Sequence, residues 1–220
     1  MLEPISTPIS SIPNDFDGWW NAPGTWVEEP NQRRSGWSGM ITSRFADALF
    51  YIKRQNNHLY RSLQHPFGMP TTSREYANLL LLASLGIKVP EPVFHGWRKT
   101  PDGFAGILVT RELTGFRAIS EAADFSAERK KSLASATGKT LGKMHRKYLQ
   151  HSCLYPQHIM FRWQDETPEI ALIDLEKLHR AYLPWRAAGH DLDQLYRHQK
   201  LWNQEAWDDL LKAHAATSGT

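Results

Sequence analysis

The run DFSAERKKSLASATGKTLGKMHRKYLQ, residues 124–150, restricts the fold more than any other stretch. It opens on Asp and Ser and closes on a basic cluster, the polarity that a helix macrodipole favours, and so predicts one long helix over 124–150. What flanks it is strand-like. Before it come DALFYIKRQ, KVPEPVFHGW and FAGILVTREL, short β-branched and aromatic runs that read as strands. Among these, TTSREYANLLLLASLG reads as a helix, with Ser/Thr at its start, Glu75 near its first turn and Gly86 as a stop. After the long helix, IMFRWQDETPEIALIDLE reads as two apolar strands around a polar turn, a hairpin. GHDLDQLYRHQKLW and QEAWDDLLKAHAA read as terminal helices. The expected fold class is α+β, with a sheet-bearing first part, a helical second part and a boundary near residue 114.

Residues 1–30 are rich in Pro, Ser and Trp and read as an extended arm with turns. Trp19, Trp20 and Trp26 would pack this arm onto the body; the alternative is a peripheral membrane contact, since Trp favours headgroup depth. The rest of the composition narrows the classes. A chain of 220 residues with 41% hydrophobic and 22% charged residues is globular rather than disordered. One cysteine excludes an intrachain disulfide framework and suits a reducing compartment. The N-terminus has neither a basic n-region nor an apolar h-region, and no stretch reaches the ~18 apolar residues of a membrane span. A cytoplasmic protein is expected. Its net charge of +3 leans towards anionic partners, but the Lys and Arg residues are scattered and no nucleic-acid motif is present.

Four side chains stand in an order suited to phosphoryl transfer, which needs phosphates positioned, charge neutralised and a metal held. Lys53 follows a strand, where its ammonium would sit on nucleotide phosphates. Glu75 lies in the next helix and would pair with Lys53. Asp174 ends the second hairpin strand in ALIDLE, where a carboxylate would ligate Mg²⁺. His158 stands just before that hairpin. Each has a plainer reading: a solvated lysine, a helix-dipole carboxylate, a turn aspartate, a hydrogen-bonded structural histidine. It is their order along the chain, more than any one of them, that suits phosphoryl transfer.

FYIKRQ, REYANLLLLASLGIKVPEPV, LVTREL, LGKMH, YPQHIMF, LIDLEK and HDLDQLYRH, taken together over about residues 33–200, resemble the bacterial lipopolysaccharide kinase (Kdo/WaaP-like) family in its InaA-like branch. The resemblance implies a bilobal protein-kinase-like fold, with an N-lobe over 31–113 and an abbreviated helical C-lobe over 114–220. It implies ATP and Mg²⁺ as cofactors and a heptose or Kdo sugar of the lipopolysaccharide core as acceptor. Lys53 then looks like the strand lysine that grips the α/β-phosphates, and Glu75 like its helix partner. Thr110, Arg111, Glu112 and Leu113 look like the hinge whose backbone meets adenine. Gly36 and Gly39, in RRSGWSG, sit where a phosphate loop belongs, without the full G-x-G-x-x-G. Asp174 looks like the metal-binding aspartate, and Asp191 like the helix aspartate that braces the catalytic loop. Two positions depart from the kinase pattern in LQHSCLYPQHIMF. Cys153 replaces the loop's Asp base, and His158 replaces the Asn that holds a second metal. A thiol of ordinary pKa is largely protonated at neutral pH and accepts protons poorly. Cys153 also fits a small buried hydrophobe. The sequence therefore supports a kinase and, as an alternative, a pseudokinase that binds nucleotide or a partner as a stress-response regulator. An aminoglycoside-type phosphotransferase shares the fold but normally keeps the loop Asp.

Overall fold

A computed structural model describes residues 11–33, 36–62, 65–101 and 103–219. The chain divides into two compact units: one runs as far as Tyr76 and adds Glu91–Glu112, the other comprises Ala77–Pro90 and the chain from Leu113 on. Residues 1–10 of the expected arm lie outside the described residues.

The first unit is built on a five-stranded antiparallel sheet of order β1-β2-β3-β7-β6. The strands are β1 (Thr25–Arg33), β2 (Gly36–Phe45), β3 (Ala48–Asn56), β6 (Pro92–Thr100) and β7 (Gly103–Arg111). A small β4 (Leu59–Tyr60) and β5 (Met69–Pro70) pair leads into helix α2 (Thr71–Ser84). Strand alternation in β3 decides what each face does. Phe50 and Ile52 point to one face and join Ile41, Ile107 and Val109 in the core. Lys53 and Gln55 alternate with them and meet α2.

The expected arm is not an arm from Phe16 onward. Phe16–Trp20 forms α1, and β1 extends the sheet. The reason is Trp19, which is buried with its ring edge-on to Phe45 and Phe50 at 5.3 and 5.4 Å. Arg54 fastens the segment by donating to the carbonyls of Trp19 and Ala22 at 3.0 and 2.6 Å. Trp20 stacks on Phe16, while Trp26 remains 41% exposed.

The second unit takes the lower half of α2 because Leu79, Leu82, Ile87 and Val89 are buried there. Lys88 also bridges to Ala171, and its carbonyl accepts from the Leu172 amide at 3.0 Å. The remaining elements are β8 (Arg117–Ala118), α3 (Ala127–His145), β9 (Leu149–Gln150), β10 (Ile159–Gln164), β11 (Thr167–Leu172), β12 (His179–Arg180), α4 (Pro184–His198) and α5 (Gln204–Ser218). β10 and β11 form the predicted hairpin, with β8 added at its edge. The long helix is shorter than expected. It starts behind Ser126, whose side chain accepts from the Arg129 amide, and ends at His145. Tyr148 then turns the chain with φ 61°, and Leu149–Gln150 pairs with β12 instead of continuing the helix. α3 and α5 pack very closely because α3 carries Gly138 and Gly142. A Cβ at Gly138 would lie 2.2 Å from the Leu210 carbonyl oxygen, and one at Gly142 would lie 2.7 Å from that of His214.

Candidate active site

In the first unit Lys53 lies inside β3 rather than after it, and it is 8% exposed. An ammonium at such a depth needs a partner. Glu75, also 8% exposed and one turn into α2, supplies it: Lys53 Nζ donates to Glu75 Oε2 at 2.8 Å. The helix is held at the right height by Gln55, two residues along the same face. Its amide donates to Thr71 Oγ1 at 2.7 Å, and its carbonyl oxygen accepts from the Thr72 amide at 3.1 Å. β3 therefore fixes α2 at two successive inward positions.

The other predicted nucleotide residues are more committed to the unit's own packing than the sequence suggests. A Cβ on Gly36 would lie 2.5 Å from the Asn56 and Asn57 carbonyls, and one on Gly39 would meet Trp26 at 2.8 Å. The smallness of both glycines is thus used by neighbouring strands. Arg34 and Ser35, between β1 and Gly36, lie outside the described residues. In the expected hinge, Thr110 and Arg111 end β7. The Arg111 amide donates to Glu91 at 2.9 Å and the Glu112 amide to Leu49 at 2.9 Å, so neither amide is left for a base. Leu113 begins the second unit.

The second unit gathers the loop residues. Asp191, on α4 and fully buried, accepts the His151 amide at 2.6 Å and the Ser152 amide at 2.9 Å. His145 of α3 donates to the same carboxylate from Nε2 at 3.2 Å, and His190 approaches it at 3.2 Å. Burial pushes the Asp191 carboxyl up, but the hydrogen bond and charge of His145 and the loop amides outweigh that and hold it below the usual carboxylate range. One turn on, Gln194 accepts the Leu154 amide at 2.7 Å. The loop backbone is thus anchored on α4 at three successive points.

His151 is fully buried and donates from Nε2 to the Ile173 carbonyl at 3.0 Å. Burial pushes this imidazole below its ordinary range, against the pull of Asp191 and Asp174. The Ile173 amide returns to the His158 carbonyl at 3.1 Å. Held at both ends, Ile173 delivers Asp174, which sits in the left-handed region at φ 59°, ψ 56°. Ser152 shares that region at φ 66°. Non-glycine residues there are strained, and such strain gathers at functional sites. Asn78 of α2 secures the far side, donating to the carbonyls of Leu175 and Leu178 at 2.8 and 2.9 Å.

Asp174 and His158 are brought together, with Oδ2 and Nδ1 3.6 Å apart. That nitrogen already donates to the Cys153 carbonyl at 2.7 Å, which leaves His158 only Nε2 for a metal. Among the described residues no three His, Cys, Asp or Glu side chains converge as a metal group. A hard ion such as Mg²⁺ typically takes one or two carboxylates and completes its shell with water and phosphate oxygens. The carboxylate of Asp174, 39% exposed and not used to cap the turn it starts, fits that pattern. Cys153 is 8% exposed, so the position of the expected base holds a buried thiol.

Gln55, Asn78, His145, Gln194 and His214 were not singled out from the sequence. Each is a polar side chain on an otherwise apolar face, a signal that periodicity alone dilutes.

Comparison with known proteins supplies the wider context. The family model described as "Lipopolysaccharide kinase (Kdo/WaaP) family" matches residues 17–214. Protein InaA of Escherichia coli (strain K12) is 32% identical over 208 residues, which cover 92% of this chain and 96% of InaA. Among solved structures, WaaP in complex with acyl carrier protein superposes with a TM-score of 0.68 at 16% identity, covering 91% of this chain and 81% of WaaP. The Rio2 kinase–ADP/Mg²⁺–phosphoaspartate complex from Chaetomium thermophilum gives 0.52 at 12% identity, covering 89% and 67%. The fold is therefore protein-kinase-like.

Proposed function

We propose that this chain, which belongs to the lipopolysaccharide kinase (Kdo/WaaP) family, is an ATP-dependent phosphotransferase acting on a heptose or Kdo hydroxyl of the lipopolysaccharide core or on a closely related glycan. The observation that carries this reading is the Lys53–Glu75 pair. A buried ion pair is weak support for stability, since an apolar pair of the same volume serves as well or better. An ammonium fixed inside a sheet is what a nucleotide's phosphates require.

Each residue then has a task. Lys53 neutralises nucleotide phosphates and Glu75 holds it in place. Asp174 binds the Mg²⁺, which supplies charge neutralisation on the transferring group. His151 and Ile173 hold Asp174, and Asp191 holds the loop that faces the acceptor hydroxyl. Cys153 provides no carboxylate to take that hydroxyl's proton. Phosphoryl transfer rests mostly on positioning and electrostatics, so transfer continues at a rate lowered by roughly the 10²–10⁴ that a general base contributes. No helix among the described residues is long and apolar enough to cross a membrane. The proposed place of action is the cytoplasm, where ATP is supplied, with the lipid-linked acceptor met at the membrane surface.

Cys153 favours a second reading, a pseudokinase that binds nucleotide or a partner as a stress-response regulator. Calorimetric titration with ATP, with and without Mg²⁺, tests the nucleotide site that the kinase and a nucleotide-binding regulator share. Magnesium-dependent binding that weakens at least about tenfold in Lys53→Ala is expected, the size of one charged contact. Absence of binding by the unaltered protein removes the kinase and leaves a regulator that binds a partner. Transfer of labelled phosphate to a core glycan then separates the enzyme from the regulator.

A further inference from the structure

We infer that His214, on the last helix, is a positioning residue for the loop at 151–153: it fixes where His145 carries its proton, and through His145 it fixes the grip of Asp191 on the loop. For turnover this rests on the reading of that loop as the transfer loop; the test below does not.

The residues form one buried chain. His214 Nε2 lies 2.8 Å from His145 Nδ1. His145 Nε2 lies 3.2 Å from Asp191 Oδ2, and that oxygen takes the His151 amide at 2.6 Å. His145, Asp191 and His214 are all buried. With His145 neutral, the order of donors is forced. A carboxylate only accepts, so His145 carries a proton on Nε2. When that ring is neutral, its Nδ1 has only a lone pair, and His214 must donate to it from Nε2. Burial first, and then the charge of His145, lower the His214 pKa to about 4, so His214 is neutral near pH 7. If His214 presented no N–H there, His145 could move its proton to Nδ1 and turn a lone pair towards Asp191. The carboxylate would then lose one of the donors that hold it over the loop amides.

The approach of α5 is built for this contact. Gly138 and Gly142 bring the backbones of α3 and α5 together about two turns and one turn before His145. Nothing in the proposed phosphate chemistry uses His214, and an apolar residue would fill the same space without the desolvation cost of an imidazole. Among the described residues, the charged and titratable groups facing the chain are His145 from α3, Asp191 and His190 from α4, His151 from the loop with Asp174 and His158 beyond it, and His214 from α5.

The test uses the full-length protein labelled with ¹⁵N. At pH 8, long-range proton–nitrogen correlation is expected to place the proton of both His145 and His214 on Nε2. A proton on His145 Nδ1, whether the ring is neutral or cationic, overturns the inference outright. In His214→Leu, which removes the donor, amide exchange at His151 and Ser152 is expected to accelerate at least about fivefold, the worth of one buried neutral hydrogen bond. In His214→Gln, which keeps a donor, those amides stay within about twofold of the unaltered protein. Equal effects of Leu and Gln on the loop amides reduce His214 to packing and refute the proposal. If His214→Leu does not fold, the tautomers of the unaltered protein and the Gln variant still decide it.

Discussion

Replacing Asp191 by Asn changes one oxygen of a fully buried carboxylate into a donor and removes its charge. The better of the two amide orientations keeps the oxygen where Oδ2 was, so the His151 amide and His145 retain their acceptor. The new NH₂ group then faces the Ser152 amide, which has donated to Oδ1 at 2.9 Å. An amide left against a donor costs about 1–3 kcal/mol, and turning charge-assisted bonds into neutral ones removes roughly 1 kcal/mol more. A loss of about 3 kcal/mol follows, and at about 2–4 °C per kcal/mol for a chain of this size the melting temperature should fall by ~6–12 °C. Calorimetric melting at pH 7 measures it. Amide exchange supplies the finer test, because Ser152 should lose protection while His151 keeps most of its own. The pH dependence has a definite sign. The Asp191 pKa is lowered in the folded chain, so its contribution is complete above the unfolded carboxylate range and is lost as pH falls through the folded value. The gap between the two proteins should close below about pH 4. A melting temperature within 2 °C of the unaltered protein (about 1 kcal/mol or less), or equal loss of protection at both amides, would refute the reasoning.

Two glycines in helices give opposite expectations. Gly138→Ala puts a Cβ 2.2 Å from the Leu210 carbonyl oxygen and should destabilise by about 1–3 kcal/mol, read as a lower melting temperature. Gly189→Ala, in α4 with nothing within 4 Å, should stabilise by about 0.5–1 kcal/mol. Cys153→Asp restores a carboxylate to the loop. Labelled-phosphate transfer should rise by up to about 10²-fold while thermal stability falls, because the position is buried. Unchanged transfer would mean that the acceptor's proton does not leave by way of this position.

Much of the fold could be read from the sequence because its elements carry strong local signals. β3, α2, the hairpin and the caps of α3 and α5 follow from strand alternation, Ser or Asn caps and a polar turn. What the sequence hid depends on tertiary partners. The Pro-rich N-terminus has no periodicity, yet Trp19 finds Phe45 and Phe50 and brings α1 into the core. Residues 146–150 keep helical composition, and pairing with β12 overrides it. At the candidate site the charged residues were legible because a carboxylate ending an apolar strand stands out. Lys53 lies inside the strand because the alternation of β3 runs on through it and places it on the face that meets α2. The supports escaped notice for the same physical reason that they work. Gln55, Asn78 and His145 satisfy backbone or charged groups that lie far away in sequence, and single-sequence periodicity reads only near neighbours.

The two readings of function part at one side chain. In the first unit, Glu75 and Gln55 settle the place of an ammonium. In the second, Asp191, Gln194 and His151 settle a loop backbone and the residue before Asp174. A buried ion pair such as Lys53–Glu75 helps a fold no more than apolar packing of the same volume would. Strained residues at 152 and 174 add cost without adding core. A fixed ammonium suits phosphates and an exposed carboxylate suits a hard metal ion, and the kinase and the nucleotide-binding regulator proposed above ask for both. At Cys153 the expected proton acceptor is a buried thiol. Because phosphoryl transfer draws most of its acceleration from position and charge rather than from proton removal, a loop so firmly held is compatible with slow transfer. The rate of phosphate transfer, rather than the presence of binding, is therefore the quantity that distinguishes an enzyme from a regulator here.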